Sequence, residues 1–176
     1  MEQVYLLTGR PGTGKTSLIK QVVAAAGDKA GGFYTEEIRS GGSRQGFKVI
    51  TLDGAEAVLA HINIRSPHRV SKYGVDVAGL ERVGLAALER AARDRPLVII
   101  DEIGKMELFS QSFRKAVLSL LERRKPLLAT IMSSSHPWAD AVKQRHGVKL
   151  VEVTRANHQP VLAEVLSWLG ASLKSN

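Results

Sequence analysis

Eight consecutive residues near the start of the chain constrain its fold more than any other segment. They read Gly-Arg-Pro-Gly-Thr-Gly-Lys-Thr over positions 9–16, a glycine followed after four residues by Gly-Lys-Thr. The apolar run before them predicts a buried strand over 4–7, and the residues after them predict a helix over 17–23. Glycines let backbone amides converge on an anion, and a helix N-terminus adds partial positive charge. The segment therefore predicts a phosphate-binding loop of the Walker A type.

Two side chains of this loop have specific predicted roles. Lys15 is expected to reach the β and γ phosphates of a nucleotide, and Thr16 to ligate Mg²⁺. An ordinary glycine-rich turn is the alternative, and the flanking strand and helix argue against it. The whole predicted phosphate-binding set is Gly9, Arg10, Pro11, Gly12, Thr13, Gly14, Lys15 and Thr16.

A second motif lies far downstream, where an apolar run ends in two acids. Residues 97–100 are typical of a strand buried on both faces of a parallel sheet, and Asp101 and Glu102 follow them. An α/β sheet places its site at the carboxyl ends of such strands. We expect Asp101 to support Mg²⁺ through water, and Glu102 to orient or deprotonate an attacking water. Standing alone, the run would be interpreted as a solvated acidic strand end.

Length and composition limit the class of protein. The chain has 176 residues, enough for one sizeable core, so we expect one domain over 1–176. It has no cysteine, which excludes a disulfide framework and a thiolate metal site. The start of the chain runs directly into the first strand, and no apolar stretch approaches the ~20 residues of a membrane span. We therefore expect a cytoplasmic protein that does not contact a membrane.

The net charge favours anionic partners. The formal charge is +8, which does not choose between nucleotide phosphates and a nucleic-acid backbone. Aromatic residues make up only 5% of the chain, and this argues against a surface that stacks on bases. Nucleic acid is therefore an alternative partner that we do not favour. A monomer is expected, because no long apolar stripe is left over once the core helices are assigned.

The middle of the chain predicts an antiparallel addition to the sheet. Gly31 and Gly32 are expected to break the chain after the first helix. Residues 33–39 and 46–52 then read as two strands of a hairpin, whose loop over 40–45 is longer than the tight two-residue type. The basic stretch 55–72 follows. It is either a mobile lid near the phosphates or a solvated surface loop.

The remaining segments alternate helices with strands, which predicts a mainly parallel, doubly wound α/β sheet. The predicted elements are a helix over 80–92, a helix that Ser110 caps, a strand over 126–132, a short helix over 138–145, a strand over 148–153 and a final helix with Pro160 in its first turn. At the tip of the 126–132 strand, Thr130 and Ser133 are candidate sensors of the γ-phosphate. Hydroxyls bonded to neighbouring backbone are the alternative.

Four blocks follow the phosphate-binding loop in order, at residues 32–39, 44–47, 72–75 and 101–108. The last of these blocks begins with the second phosphate motif. Together with the phosphate-binding loop, these blocks resemble the cancer-related nucleoside-triphosphatase family, which is also described from thermophiles. The resemblance implies a RecA-like P-loop fold in which the sensor strand lies between the P-loop strand and the Walker B strand. It also implies slow, Mg²⁺-dependent hydrolysis of ATP, GTP, CTP and UTP to diphosphates, with little base preference.

The resemblance also implies roles for matched residues. It assigns phosphate binding to residues 9–16, Mg²⁺ support to Asp101 and water activation to Glu102. Lys105 lies just beyond these carboxylates, where it would contact charge in the transition state. An ion pair of Lys105 with Glu102 or Glu107 is an equal alternative.

The chain departs from the family pattern in one place. Members of the family tend to show Asn-Arg near the start of the last helix, and this chain has Asn157 and His158 there. A histidine would contact a nucleotide base more weakly than arginine and in a pH-dependent way. Arg155 is a candidate to compensate.

Two other functions fit the same motifs. One is a nucleoside or nucleotide kinase, and the other is a nucleotide-switched module that binds RNA or a protein. In the kinase or the hydrolase, Arg69 or Lys72 from the basic stretch would serve as alternatives to Lys105 in stabilising the transition state. Glu102 directly after the Mg²⁺ aspartate fits activation of water better than activation of an acceptor hydroxyl. We therefore predict a nucleoside triphosphatase.

Overall fold

The structure is a computed structural model that describes residues 2–175, so Met1 and Asn176 lie outside it. Its strands are β1 (Val4–Thr8), β2 (Ala30–Ser40), β3 (Ser43–Thr51), β4 (Glu56–His61), β5 (Arg69–Val70), β6 (Tyr73–Val75), β7 (Leu97–Ile103), β8 (Leu127–Ile131) and β9 (Val148–Glu152). Its helices are α1 (Lys15–Ala26), α2 (Val77–Gly79), α3 (Ala86–Asp94), α4 (Gln111–Glu122), α5 (Pro137–Lys143) and α6 (His158–Lys174). A π-helical stretch, Leu80–Leu85, joins α2 to α3.

All of these strands form one sheet in the order β5-β6-β4-β3-β2-β7-β8-β1-β9. Strands β2, β7, β8, β1 and β9 are parallel, and we call them the parallel half. Strands β3, β4, β6 and β5 continue the sheet in antiparallel fashion, and we call them the antiparallel wing. The predicted α/β fold is confirmed. Strand β8 lies between the P-loop strand β1 and the Asp101 strand β7, as the resemblance implies.

The buried strands of the parallel half serve two cores, one on each face of the sheet. In β1, Leu6 packs with Ile100 on the face that α3 and α4 cover. The next residue, Leu7, packs with Ile99 on the face that α1 and α6 cover. Because successive side chains of a strand point to opposite faces, a strand buried on both sides is apolar at every position. This explains the continuous apolar runs that predicted these strands.

The predicted start of α4 is confirmed in detail. The Ser110 hydroxyl accepts a hydrogen bond of 3.0 Å from the Phe113 amide, which satisfies one free amide of the first turn. Pro160 lies in the first turn of α6, also as predicted. Both signals are local in the sequence, so neither depends on knowing the tertiary fold.

The prediction that Gly31 and Gly32 break the chain is wrong, because both lie inside β2. A Cβ added at Gly31 would lie 2.7 Å from the Cβ of Ala91. One added at Gly32 would lie 2.0 Å from the carbonyl oxygen of Ile99. The two glycines therefore let α3 and β7 approach β2 closely, which is a common reason for glycine inside a strand.

The hairpin turn is also tighter than predicted. Ser40 pairs with Ser43, so only Gly41 and Gly42 lie between the two strands. Their φ angles are 58° and 78°, and two successive positive values are typical of a type I′ turn. This two-residue turn stands in place of the longer loop predicted over 40–45.

The basic stretch 55–72 is only partly a loop. It contains β4 and β5, which a loop over 62–68 connects, and it folds upon itself through backbone contacts. The Arg69 guanidinium donates to the carbonyl oxygens of Ile64 at 3.3 Å and Lys72 at 2.9 Å. The His68 ring packs on Phe109 at a centroid distance of 4.8 Å. Within residues 2–175, no helix combines the length and apolar character that crossing a membrane requires.

Candidate active site

The phosphate-binding loop connects β1 to α1, as the sequence predicts. Gly9, Gly12 and Gly14 all have positive φ, at 144°, 77° and 89°. At Gly9 space is short as well, since a Cβ there would lie 2.5 Å from the carbonyl oxygen of Val153. The glycines thus allow both the backbone turns of the loop and its passage beside the end of β9.

The side chain of Lys15 folds back over this loop. Its Nζ donates to the carbonyl oxygen of Gly9 at 2.5 Å and to that of Arg10 at 3.1 Å. The Thr13 hydroxyl adds a bond of 2.9 Å to the same Arg10 carbonyl. The lysine ammonium is therefore held at the loop by neutral acceptors, which an anionic ligand can replace.

Asp101 joins the two phosphate motifs. Its Oδ2 accepts a hydrogen bond of 2.9 Å from the Thr16 hydroxyl, across 85 positions of sequence. Its Oδ1 accepts one of 2.6 Å from the Thr130 hydroxyl on the intervening strand β8. With only 4% of its surface exposed, Asp101 is held at both oxygens in a buried position. The structure thus brings together the two residues predicted to ligate the metal.

Burial dominates the electrostatics of the two neighbouring acids. It raises the pKa of the Asp101 carboxyl, against the hydrogen bonds from Thr130 and Thr16 and the charge of Lys15. Burial also raises the pKa of Glu102, and the negative charge of Asp101 raises it further, while Lys15 lowers it. A positive charge beside these carboxyls therefore favours their ionised forms.

Glu107 lies buried beside Glu102 in the turn that follows β7. Burial, followed by the charge of Glu102, raises the pKa of Glu107 to about 8. Its Oε2 accepts a hydrogen bond of 3.2 Å from the Gly104 amide. A Cβ at Gly104 would lie only 2.6 Å from Oε1 of Glu102, so the glycine leaves room for that carboxylate.

Lys15, Glu102 and Glu107 line one cavity of about 290 Å³, which we call the P-loop cavity. Its charged lining residues are Lys15, Glu102, Lys105 and Glu107. Lys105 is exposed and forms an ion pair with neither glutamate in the part of the chain described, so the predicted alternative of an ion pair is not found. Lys105 thus stands at the cavity as an unpaired cation.

The two candidate γ-phosphate sensors have different positions. Ser133 lines the P-loop cavity and is exposed, so its role as a sensor stays a prediction. Thr130 is completely buried and donates its hydroxyl hydrogen to Asp101. The Thr130 hydroxyl therefore bonds to a side chain, so the interpretation as a hydroxyl bonded to neighbouring backbone is wrong, whereas its role as a sensor of the γ-phosphate stays a prediction.

Two cations predicted to reach the phosphates lie elsewhere. The Arg69 guanidinium is engaged with backbone carbonyls of its own segment, and the Lys72 ammonium lies 5.7 Å from the centre of the Tyr73 ring. Neither lines the P-loop cavity, although Val70 between them does. The basic stretch thus contributes the apolar side chains of Leu59 and Val70 to the cavity rather than a charge. In β5, Arg69 and Val70 point to opposite sides because successive residues of a strand alternate.

Asn157 and His158 lie beside the phosphate-binding loop. The Asn157 amide group closes a turn, accepting 2.7 Å from the Thr154 amide and donating 2.8 Å to the Glu152 carbonyl. The His158 Nε2 lies 3.1 Å from the carbonyl oxygen of Gly14. Contact of this pair with a base stays a prediction.

The comparison with known protein families agrees with the geometry of the site. A family model described as NTPase matches residues 4–166. The chain belongs to this NTPase family. The matched segment includes both phosphate motifs and all nine strands described above.

Relatives of this NTPase match it over nearly their whole length. The nucleoside-triphosphatase THEP1 of Thermotoga sp. (strain RQ2) is 49% identical over 164 residues, covering 93% of this chain and 94% of the relative. The nucleoside-triphosphatase THEP1 of Thermofilum pendens (strain DSM 2475 / Hrk 5) is 45% identical over 176 residues, covering 95% and 97%. The identity extends over nearly the whole of both chains.

Solved structures confirm the fold of this NTPase. The crystal structure of THEP1 from the hyperthermophile Aquifex aeolicus matches with a TM-score of 0.86 and 38% identity, over 94% of this chain and 98% of the other. The solution structure of a human cancer-related nucleoside triphosphatase matches with a TM-score of 0.77 and 36% identity, over 96% and 98%. The resemblance identified from the four sequence blocks is thereby confirmed.

Sequence reasoning missed the apolar wall of the P-loop cavity in this NTPase. Phe47, Leu59 and Val70 of the antiparallel wing line it, together with Met106 and Met132. No local pattern marks these residues as part of a site, because apolar residues in strands are normally core. Only the pairing of the wing with β2 brings them to the phosphate-binding loop.

Proposed function

We propose that this NTPase binds the Mg²⁺ complex of a nucleoside triphosphate at residues 9–16 and hydrolyses its γ-phosphate with Glu102 as the base. One observation carries the proposal. The hydrogen bond between Thr16 and Asp101 joins the two motifs at a single point, and Glu102, the next residue, lines the same cavity as Lys15. Phosphate-binding, metal-binding and proton-accepting groups therefore lie side by side.

The donor set fits Mg²⁺. The Thr16 hydroxyl and the Asp101 carboxylate are oxygen donors, which this hard cation prefers. Mg²⁺ is commonly held by one or two protein groups together with substrate phosphates and water, as in other P-loop enzymes. When bound, it would neutralise charge on the β and γ phosphate oxygens. Thr130 would hold Asp101 in position for it.

The chain's own residues account for the hydrolytic step. Lys15 exchanges the carbonyl oxygens of Gly9 and Arg10 for phosphate oxygens. Glu102 takes a proton from water as the water oxygen bonds to the γ-phosphorus, and the bond from that phosphorus to the β,γ-bridging oxygen breaks. The products are a nucleoside diphosphate and phosphate. Lys105, exposed at the cavity, donates to the charge that develops on the γ-phosphoryl group.

The proposed substrates are ATP, GTP, CTP and UTP. The groups assembled at the P-loop cavity contact phosphates, metal and water, which these four substrates have in common. The names of the relatives, nucleoside-triphosphatase, support this breadth. Turnover is expected to be slow, because the cation at the γ-phosphate is an exposed lysine that must be ordered in each cycle.

The test is phosphate release with Mg²⁺ and each of the four triphosphates, comparing wild type with Glu102→Gln. Loss of a general base is expected to lower the rate by about 10²–10⁴-fold. Binding of a fluorescent nucleotide should stay within about threefold of wild type, since glutamine preserves shape and removes only the base.

The control is Glu56→Gln, an exposed acid of β4 that pairs with Lys48. It should leave the rate unchanged. Wild-type turnover in Glu102→Gln would remove Glu102 from the mechanism and move the base role to another group, with Glu107 the nearest carboxyl in the cavity lining.

A further inference from the structure

A second cavity lies at the opposite end of the parallel strands from the phosphate-binding loop, and we call it the amino-end cavity. It measures about 370 Å³. Its lining residues come from the amino ends of β1, β8 and β9 and from the last turns of α4 and α6. Sites for the main substrate of an α/β sheet lie at the carboxyl ends of its strands. The amino-end cavity is therefore separate from the proposed catalytic site.

One residue that lines this cavity carries a buried hydroxyl without a partner. Ser172 of α6 lines the cavity and has only 3% of its surface exposed. Its Oγ has no hydrogen-bond partner within residues 2–175. Buried polar atoms are nearly always hydrogen-bonded, because an unpaired one loses its bonds to water without replacement. Rotation of the Ser172 side chain toward a polar atom of a ligand in the cavity would supply the missing bond.

The other polar lining groups are basic or neutral. Arg124 follows the end of α4, and His146 precedes β9. No aspartate or glutamate is among the lining residues, and no ion pair holds the Arg124 guanidinium within residues 2–175. A guanidinium presents a planar set of donors that matches the two oxygens of a carboxylate or phosphate. The basic character of the lining residues therefore favours an anionic ligand.

The remaining walls are apolar. Val4, Leu121, Pro126 and Val148 line the cavity beside the basic groups. A cavity of this volume is within the range of small-molecule sites, which combine apolar walls with a few polar groups that fix orientation. The occupant that fits is larger than an inorganic ion and carries a carbon body.

We propose that the amino-end cavity binds a small organic oxyanion. Its phosphate or carboxylate group lies on Arg124 and His146, its body lies on the apolar walls, and a polar atom bonds to the Ser172 hydroxyl. Strand β1 connects this site to the other one, since Val4 at its start lines the cavity and Thr8 at its end precedes the phosphate-binding loop. The ligand is therefore an accessory ligand of the enzyme and not the triphosphate that it cleaves.

The experiment is an amide NMR titration of the ¹⁵N-labelled full chain. Inorganic phosphate is added in one series and succinate in another, so that the two oxyanion chemistries are separated. We expect saturable shifts of the Gly147 and Ser172 amides with at least one probe. Shifts of the Gly12 and Gly14 amides report binding at the phosphate-binding loop in the same spectra, so the two sites are read independently.

Substitution of Arg124 tests the anion contact. Arg124 has a φ of 52°, a conformation that glycine adopts more easily, so Arg124→Gly should fold. Its affinity for the bound probe should fall by about tenfold or more, since a charge-assisted hydrogen bond is lost. The matched control is Arg123→Gln, whose exposed side chain lies one position earlier and outside the cavity lining. The control should stay within about twofold of wild type.

Substitution of Ser172 separates a ligand-facing hydroxyl from a structural one. Ser172→Ala removes the unpaired oxygen, so the Tm without a probe should be at least that of wild type, while the affinity for the probe falls. No saturable shift at Gly147 and Ser172 with either probe overturns the proposal. Unchanged affinity in Arg124→Gly also overturns it. Because the readout is binding, failure here leaves the proposed hydrolytic function untouched.

Discussion

The parallel half and the antiparallel wing meet at the P-loop cavity, but they bring different chemistry to it. The parallel half supplies Lys15 and Glu102, whose charges act on one another. The wing supplies the side chains of Phe47, Leu59 and Val70, which carry no polar group. The groups proposed to react therefore follow strands that share a carboxyl edge, whereas the wing supplies an apolar wall of the same cavity.

Of the substitutions that test this difference between the two regions, Lys15→Ala in the parallel half is expected to have the largest effect on activity. The substitution removes the cation proposed to contact the phosphates, and we expect phosphate release from ATP to fall by about a thousandfold. The control Lys20→Ala removes an exposed lysine of the same helix, which pairs with Glu36, and should retain activity. Hydrolysis at the wild-type rate in Lys15→Ala would refute the assignment of residues 9–16.

An intermediate effect, on stability rather than turnover, is expected from Glu107→Gln at the junction of the two regions. An unfolded chain releases the Glu107 proton near its ordinary pKa of 4.5, whereas the folded protein keeps it up to about 8. Between these values the unfolded state binds fewer protons, so the free energy of unfolding that this group contributes falls as the pH rises. Glutamine cannot lose a proton, and it keeps an acceptor for the Gly104 amide.

The variant should therefore melt several degrees above wild type at pH 8, and this difference should vanish near pH 4. Thermal unfolding of both proteins across this pH range provides the measurement. Glu89→Gln, an exposed acid of α3, serves as the control with no such trend. A Tm difference that does not depend on pH would show that Glu107 is ionised in the folded protein.

The smallest effect is expected in the wing, from Val70→Ala. Val70 is half-buried on the edge strand β5, so losing two methyl groups leaves the phosphate-binding groups in place. We expect kcat for ATP to stay within about threefold of wild type, with a small loss of stability. A loss of kcat comparable to that of Lys15→Ala would contradict this difference between the two regions, because it would show that the wing takes part in catalysis.

The same two regions differ in how far the sequence predicts them. In the parallel half the signals are local: residues 9–16 are contiguous, and Asp101 and Glu102 follow an apolar run. In the wing the assignment depends on partners far along the chain. The parallel half has one exception in β2, where Gly31 and Gly32 suggest a break because their neighbours Ala91 and Ile99 lie far along the chain.

Thr130 illustrates what local patterns leave out even in the parallel half. Its hydroxyl lies at the tip of a predicted strand, but its partner depends on the register between β7 and β8. Ile100 pairs with Ala129, and just beyond this pair, where the register shifts, the side chains of Asp101 and Thr130 form a hydrogen bond. A contact between residues 29 positions apart has no signature in either segment alone, so the bond between Thr130 and Asp101 required the structure.

The strand order also has a consequence for how chains of this kind can diversify. The wing is one continuous segment, from Ser43 to Val75, that follows β2 at the edge of the parallel half, and the chain returns from it through α3 to β7, the other neighbour of β2. Its length can therefore change without altering which strands of the parallel half are adjacent. The part of the cavity wall that the wing supplies can therefore be exchanged as one segment. Related chains could change this segment while keeping the same phosphate-binding strands.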